Sequence, residues 1–180
     1  TWHNDYYIRR IRVGKNESMY KYLAEHHPEL IEDEITKLGV RCNKIELDLS
    51  NTLSIKKLLD EVENKLGNPS ILINNATYST LTNIDNFSVK ELDKHYEINI
   101  RATSLITIEF IRRFNKGKGG RIINLITGQS LSPMSGEIAY AITKGATETL
   151  TFTLSQEIAS KGITINAINP GPTDSGWMSD

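Results

Sequence analysis

After about residue 40, apolar residues along the chain fall into two alternating rhythms. Short apolar runs occur at 40–47, 71–73, 121–126 and 163–168, each bounded by Gly, Pro or Asn. Runs of that length with that punctuation predict buried strands. Between them lie longer stretches whose apolar residues recur at helical spacing. Residues 53–66 carry Leu58, Leu59, Val62 and Leu66; residues 89–114 carry Leu92, Tyr96, Ala102, Ile106 and Phe110, with Asn99 set into the same stripe. A third stretch, about 137–160, places Ala139, Ile142, Ala146, Leu150, Leu154 and Ile158 on one predicted face. Strand, helix, strand, helix predicts parallel βαβ units, hence an α/β sheet covered on both faces. Ser50, Asn51 or Thr52 is expected to cap the first helix and Gly67-Asn68-Pro69 to end it, and Ser88 to cap the second.

Residues 1–39 keep a different rhythm. From Asn16 to Leu38 the chain is dense in Glu, Lys, His and Tyr, with Leu23, Leu30, Ile31, Ile35 and Leu38 as apolar positions and Pro28 as an interruption. This predicts one or two surface helices, the better from about 28 to 38 and ended by Gly39. No linker or repeat divides the 180 residues, which therefore read as a single domain.

Composition narrows the function classes. The 21 Lys plus Arg nearly balance 22 Asp plus Glu, so neither a nucleic-acid nor a membrane partner is expected. No apolar run approaches the roughly 20 residues that span a bilayer. Cys42 is the single cysteine, which excludes an intrachain disulfide and fits a cytoplasmic location. Cys42, His3, His26, His27 and His95 show no paired ligand spacing, so no metal is expected.

Candidate chemistry gathers late in the chain. Tyr140 and Lys144 stand four residues apart in a predicted helix and share a face. A nearby ammonium favours the phenolate, so Lys144 is expected to lower the pKa of Tyr140 and fit it for acid/base work on a carbonyl or alcohol. The plainer alternative is an exposed tyrosine beside a solvated lysine. Position gives the pair more weight. In an open parallel sheet ligands bind at the carboxyl ends of the strands. Those ends carry Asn74-Asn75-Ala76, Thr127, and Asn169-Pro170-Gly171-Pro172-Thr173.

Asp48 after a strand, Asn74-Asn75-Ala76, Asn99 on a helix, Thr127, Tyr140 with Lys144, then Asn169-Pro170-Gly171 with Thr173 together resemble the short-chain dehydrogenase/reductase family. The resemblance covers about 40–178, and the segment 128–133 resembles the 3-oxoacyl-carrier-protein reductase branch. It implies an oxidoreductase that moves hydride between NAD or NADP and a small-molecule carbonyl or secondary alcohol. Tyr140 would be the acid/base, Lys144 would hold the nicotinamide ribose, and Thr127 would orient the substrate oxygen. Asn99 would support a water-linked proton path to Lys144; the plainer role is a core Asn bonded to backbone. Asp48 would accept from the adenine amino group, with a helix cap as its structural alternative. Asn74 would tie strands through bonds to backbone, Asn75 and Ala76 would line the cleft, and Pro170, Gly171 and Thr173 would meet the nicotinamide end.

The sequence also departs from the family pattern. Thr127 stands where Ser is usual; the hydroxyl survives, but the added methyl restricts χ1, so narrowed activity is expected. Thr77 stands where Asn-Asn-Ala is usually followed by Gly, placing a side chain near the cofactor path. The glycine-rich turn Thr-Gly-x-x-x-Gly-x-Gly is not found, and Gly14 matches none of it. The expected fold is thus a Rossmann-like doubly wound parallel α/β sheet, incomplete, with first and last strands missing: an internal portion of a longer reductase, or a truncated descendant of one. The full-length parent is expected to be a homodimer or homotetramer. The competing function is a non-catalytic module that keeps only the interface helices 89–114 and 137–160. A sugar-nucleotide epimerase or dehydratase is disfavoured by the Asn-Pro-Gly-Pro-Thr ending.

Overall fold

The computed structural model describes residues 36–171. Residues 36 and 37 are helical, and Gly39 closes the turn at φ 78° with its N–H on Thr36 O. The rest of the predicted surface helix lies outside the described residues. Residues 40–47 hold one bridge residue, Leu47, and are not the strand predicted there. A strand needs a hydrogen-bonded neighbour, and among the described residues no named strand lies beside this run.

The first helix, α1 (Thr52–Leu66), is capped by Asn51, whose Oδ1 accepts from Leu53 N at 3.1 Å. It buries Ile55, Leu58, Leu59, Val62 and Leu66. Strands β1 (Ile71–Asn74), β2 (Gly120–Leu125) and β3 (Ile163–Ile168) form a parallel sheet in the order β1-β2-β3. Its register aligns Leu72, Ile122 and Ile165 in one apolar row across all three strands. That row joins the core with Leu58 and Val62 of α1, and with residues from the helices described next.

The stretch predicted as one helix over 89–114 is broken in its middle. It comprises α2 (Val89–His95), a π-helical segment (Tyr96–Ala102) and α3 (Thr103–Arg113), with Ser88 Oγ capping from the front. The wider π turns change the helical phase. Ile98, Asn99 and Ala102 face inward, while Tyr96, predicted to be buried, is 46% exposed.

The last helix, α4 (Ile138–Glu157), is followed by a 3-10 turn, Ala159–Lys161. Gly162 then takes φ 70°, and a Cβ there would stand 2.2 Å from Gly117 O, so only glycine fits. The buried side of α4 keeps Ala139 and Leu154 of the predicted stripe and adds Lys144 and three threonines to it. Ala139, Thr143, Lys144, Thr147, Thr151 and Leu154 face in, whereas Ile142 is 52% exposed. Threonine is tolerated there because its hydroxyl can return to the helix: Thr147 bonds Thr143 O and Thr151 bonds Thr147 O.

The expectation of cover on both faces also fails among the described residues. Helices pack on the side bearing Leu72, Ile122 and Ile165, while on the other Ile73 is 52% exposed. The three strands supply an incomplete Rossmann-like α/β sheet, as predicted.

Candidate active site

Along the covered face, the apolar row gives way two residues later to Asn74 beside Asn124, at the carboxyl ends of β1 and β2. Asn74 Nδ2 donates to Asn124 Oδ1 at 2.7 Å and to Thr107 Oγ1 at 2.9 Å. It ties the strands through side chains, not through the backbone bonds expected of it. Asn124 Nδ2 continues to Thr151 Oγ1 at 2.8 Å. A polar seam therefore runs from the end of β1 into α4.

The loop after β1 is fixed from two sides. Thr82, fully buried, exchanges backbone bonds with the segment before α4, and its Oγ1 accepts from Ala139 N at 2.9 Å. It caps α4 from a distant part of the chain, since Glu137 makes no side-chain cap bond. From α2, Glu91 accepts from Thr80 Oγ1 at 2.8 Å and Tyr78 OH at 3.2 Å. The Thr80 bond does most to hold the Glu91 carboxyl below its usual pKa, and partial burial opposes it. His95 is fully buried, edge-on to Tyr78, and burial lowers its pKa, so it is neutral here.

Asn99 is 2% exposed and its carboxamide is fully committed. Its Oδ1 accepts from Tyr78 N at 2.7 Å and Thr77 Oγ1 at 3.1 Å; its Nδ2 donates to Tyr78 O at 2.8 Å and Thr143 Oγ1 at 2.9 Å. None of these bonds reaches Lys144.

Tyr140 and Lys144 occupy the first turns of α4. Lys144 Nζ donates to Leu125 O, the last residue of β2, at 2.8 Å and stands 5.5 Å from the Tyr140 ring centroid. Burial lowers the Lys144 pKa from 10.5 to about 8. Tyr140 moves opposite to expectation. Burial raises its pKa above the ordinary tyrosine value, the Glu137 carboxylate adds to the rise, and the nearby Thr77 hydroxyl opposes it. The ammonium sits over the ring and bonds a carbonyl, so it does not offset the desolvation of the phenol.

Thr127 follows β2, half-buried, and donates its hydroxyl to Met134 Sδ at 3.6 Å. The ends of β2 and β3 stay side by side, with Ile126 N on Ile168 O at 2.9 Å. A Cβ at Gly128 would lie 3.6 Å from Asn169 Nδ2. Asn169 Oδ1 in turn accepts from Gly171 N at 3.0 Å and shapes the turn after β3. Tyr140, Lys144 and Thr127 are thus gathered at the carboxyl rim of β2, where α4 begins.

The family model for short chain dehydrogenases matches residues 14–180. The chain belongs to the short-chain dehydrogenase family. Over 154 residues it is 49% identical to the uncharacterized oxidoreductase YjdA of Bacillus subtilis, covering 84% of this chain and 61% of that protein. It is 33% identical over 171 residues to oxidoreductase UcpA of Salmonella typhimurium, covering 88% of this chain and 65% of that one. Among solved structures, a short chain dehydrogenase from Burkholderia cenocepacia in complex with NADP superposes with a TM-score of 0.76 at 28% identity, over 81% of this chain and 59% of that one. The chain therefore spans less than two thirds of the length of these short-chain dehydrogenases.

The other predicted residues of this short-chain dehydrogenase lie farther out. Asn75 is exposed and Ala76 half-buried on the loop after β1. Asp48 is exposed, and its Oδ1 accepts from Ser50 N at 2.8 Å; it shapes its own turn while Asn51 caps α1. Pro170 and Gly171 are exposed, and Thr173 lies outside the described residues. Sequence reasoning missed Thr82, His95 and Met134. Nothing local marks Thr82 as a cap for a helix more than fifty residues away. Thr77, expected only as an obstacle near the cofactor path, donates its hydroxyl to Asn99 Oδ1 at 3.1 Å.

Proposed function

We propose that this chain carries the acid/base half of an NAD- or NADP-dependent oxidoreductase acting on a small-molecule carbonyl or secondary alcohol. The observation that carries this reading is the pairing of a half-buried Tyr140 with a buried Lys144 at the carboxyl rim of β2. The residues fit a dinucleotide on one direct count. The Lys144 ammonium has three N–H donors and makes one hydrogen bond among the described residues, to Leu125 O. The remaining donors suit ribose hydroxyls. When bound, the nicotinamide supplies or accepts the hydride.

The chain's residues would handle the proton and the orientation. Tyr140, kept protonated by burial, gives its phenolic proton to the carbonyl oxygen during reduction and recovers it from solvent afterwards. Thr127 donates to the same oxygen once it leaves Met134 Sδ, a weak acceptor that yields readily to an oxygen. Lys144, charged below about pH 8, stands beside the Tyr140 ring with donors left for ribose hydroxyls. The bonds from Asn99 and Thr82 hold this group in place, so orientation does not depend on substrate.

The test uses the full-length protein with NADH and NADPH and a panel of ketones and aldehydes, a 3-oxoacyl thioester among them. Tyr140→Phe is expected to bind cofactor normally and lose about 10²- to 10⁴-fold in turnover. Equal turnover by wild type and Tyr140→Phe would overturn the assignment. The alternative of a non-catalytic assembly module draws support from exposed apolar residues on α4, Ile142 at 52% and Phe152 at 75%. Complete absence of NAD(P) binding by the full-length protein, together with a stable oligomer, would favour it.

A further inference from the structure

We infer that Thr143 is a positioning residue for the acid/base step: its buried hydroxyl passes the grip of Asn99 on to the backbone of Tyr140, and so fixes the first turn of α4 against the loop after β1. The inference rests on the proposed role of Tyr140. It goes beyond that role by naming what holds the residue in place before any substrate arrives.

Two hydrogen bonds in series make the connection. Asn99 Nδ2 donates to Thr143 Oγ1 at 2.9 Å, and Thr143 Oγ1 donates to Tyr140 O at 2.9 Å. A threonine hydroxyl has one proton and two lone pairs, so it can receive on one side while giving on the other. Thr143 is fully buried and Asn99 is 2% exposed, so solvent does not compete for these bonds. Asn99 has a second hold one turn along α4. There the buried Thr147 Oγ1 lies 3.2 Å from Asn99 O and 3.0 Å from Thr143 O, sharing its proton between them. Two holds one helical turn apart oppose both sliding and rotation of the helix.

The same bonds close a ring. The Asn99 carboxamide brackets Tyr78, accepting from its N–H at 2.7 Å and donating to its C=O at 2.8 Å. From Tyr78 the loop runs on to Thr82, whose Oγ1 accepts from Ala139 N at 2.9 Å. Ala139 and Tyr140 are adjacent, so the first turn of α4 is held by the N–H of one and the C=O of the other. Both holds lead back to Asn99, one through Thr143 and one through the loop. Of the side chains in this ring, Thr143 is the one bonded to Tyr140. Lys144 anchors the helix separately, to β2 at Leu125 O.

Valine has the shape of threonine without the hydroxyl, so it opens the ring at that single contact. Asn99 Nδ2 would keep Tyr78 O for one of its two N–H groups and bury the other unpaired. Tyr140 O would keep only its place in the helix ladder. Proton transfer is steeply sensitive to placement, so the loss falls on the chemical step. Cofactor binding, served by the separately anchored Lys144, is spared.

The experiment compares wild type, Thr143→Val, Thr143→Ala and Thr143→Ser in the full-length protein, with two readouts. The first needs no turnover: hydrogen exchange at the Ala139 amide, across the ring from the altered side chain. An amide in the first turn has no acceptor within its helix, so its protection reports on the bond to Thr82. Thr143→Val and Thr143→Ala should speed this exchange about tenfold, and Thr143→Ser should leave it near wild type. The second readout is kcat at saturating NADH or NADPH, beside cofactor affinity measured by fluorescence. Loss of the hydroxyl should lower kcat about tenfold with affinity unchanged, and Thr143→Ser should restore kcat. In a Tyr140→Phe background the same loss should cost nothing further, because the two residues act as a unit. If Thr143→Val does not fold, Thr143→Ala decides alone. Unchanged exchange or unchanged kcat in the hydroxyl-free variants would overturn the inference, and so would a Thr143→Ser that behaves like Thr143→Val. Faster exchange at Ala139 combined with full turnover by Tyr140→Phe would instead sink the catalytic role of Tyr140 and leave the ring standing.

Discussion

The carboxyl rim of the sheet and its open flank are built on opposite terms. At the rim, Asn74, Asn99, Asn124, Thr82 and Thr143 are buried or nearly so, and each is tied by side-chain bonds to another element. On the flank, Ile71 and Ile73 are 38% and 52% exposed. Hydrogen bonds fix direction and distance, whereas apolar contact alone fixes neither. The rim that carries the candidate site is held by directional bonds within the chain, and no described helix covers Ile71 and Ile73 on the flank.

Substitutions should separate the two regions by size of effect. Asn124→Leu takes from Asn74 Nδ2 one of its two acceptors and from Thr151 Oγ1 its donor, and urea unfolding should show a loss of about 3 kcal/mol. A loss under 1 kcal/mol would mean that the seam does not hold the rim. The next effect is a pH dependence. The folded Lys144 titrates near 8 and the unfolded one near 10.5, so across that window the unfolded chain binds the additional proton. Stability therefore rises from pH 8 towards pH 10, by about 2 kcal/mol, as the buried ammonium is neutralised. Tyr140, whose pKa is raised, pulls the other way only above its unfolded value near 10, where the folded chain binds the extra proton. Lys144→Met should abolish the rise, and a parallel rise in that variant would assign it elsewhere.

Smaller effects test the joints of the comparison. Thr82→Val removes the acceptor for Ala139 N at the start of α4 and should cost about 1 kcal/mol in chemical denaturation. Hydrogen exchange should localise that loss to the first turn of α4. On the flank, Ile73→Ser changes a half-exposed side chain and should alter stability by no more than about 0.5 kcal/mol. A large loss there would show that Ile73 is covered in solution.

Sequence pattern was enough for the strands and most helix ends. The runs at 71–73, 121–126 and 163–168 lie within a residue or so of β1, β2 and β3, because short apolar runs with Gly, Asn and Pro punctuation have few alternatives. The Asn51 and Ser88 caps were legible for the same local reason. The run at 40–47 was misjudged because a strand depends on a neighbour, which no local pattern supplies. The π turn left no mark in 96–102, and on α4 the apolar stripe marked Ala139 and Leu154 but not Thr143, Thr147 and Thr151, which share the buried side. For the candidate site, Tyr140, Lys144, Thr127 and Asn99 were named from order and spacing, but the bonds among them were not. Those bonds depend on how the loop after β1 meets α4, a contact between distant parts of the chain.

The seam from Asn74 through Asn124 to Thr151 restricts how this sequence can drift. Asn124 accepts from Asn74 and donates to Thr151, while Asn74 also reaches Thr107 and Thr151 also reaches Thr147 O, so a change in the middle of the seam is felt at both ends. Asn124→Leu and Thr151→Val should each be harmful alone and together cost less than the sum of the two, because both remove the same bond. Mutational paths through this part of the protein would then run in coupled steps, and relatives that lost one partner would be expected to have replaced the other.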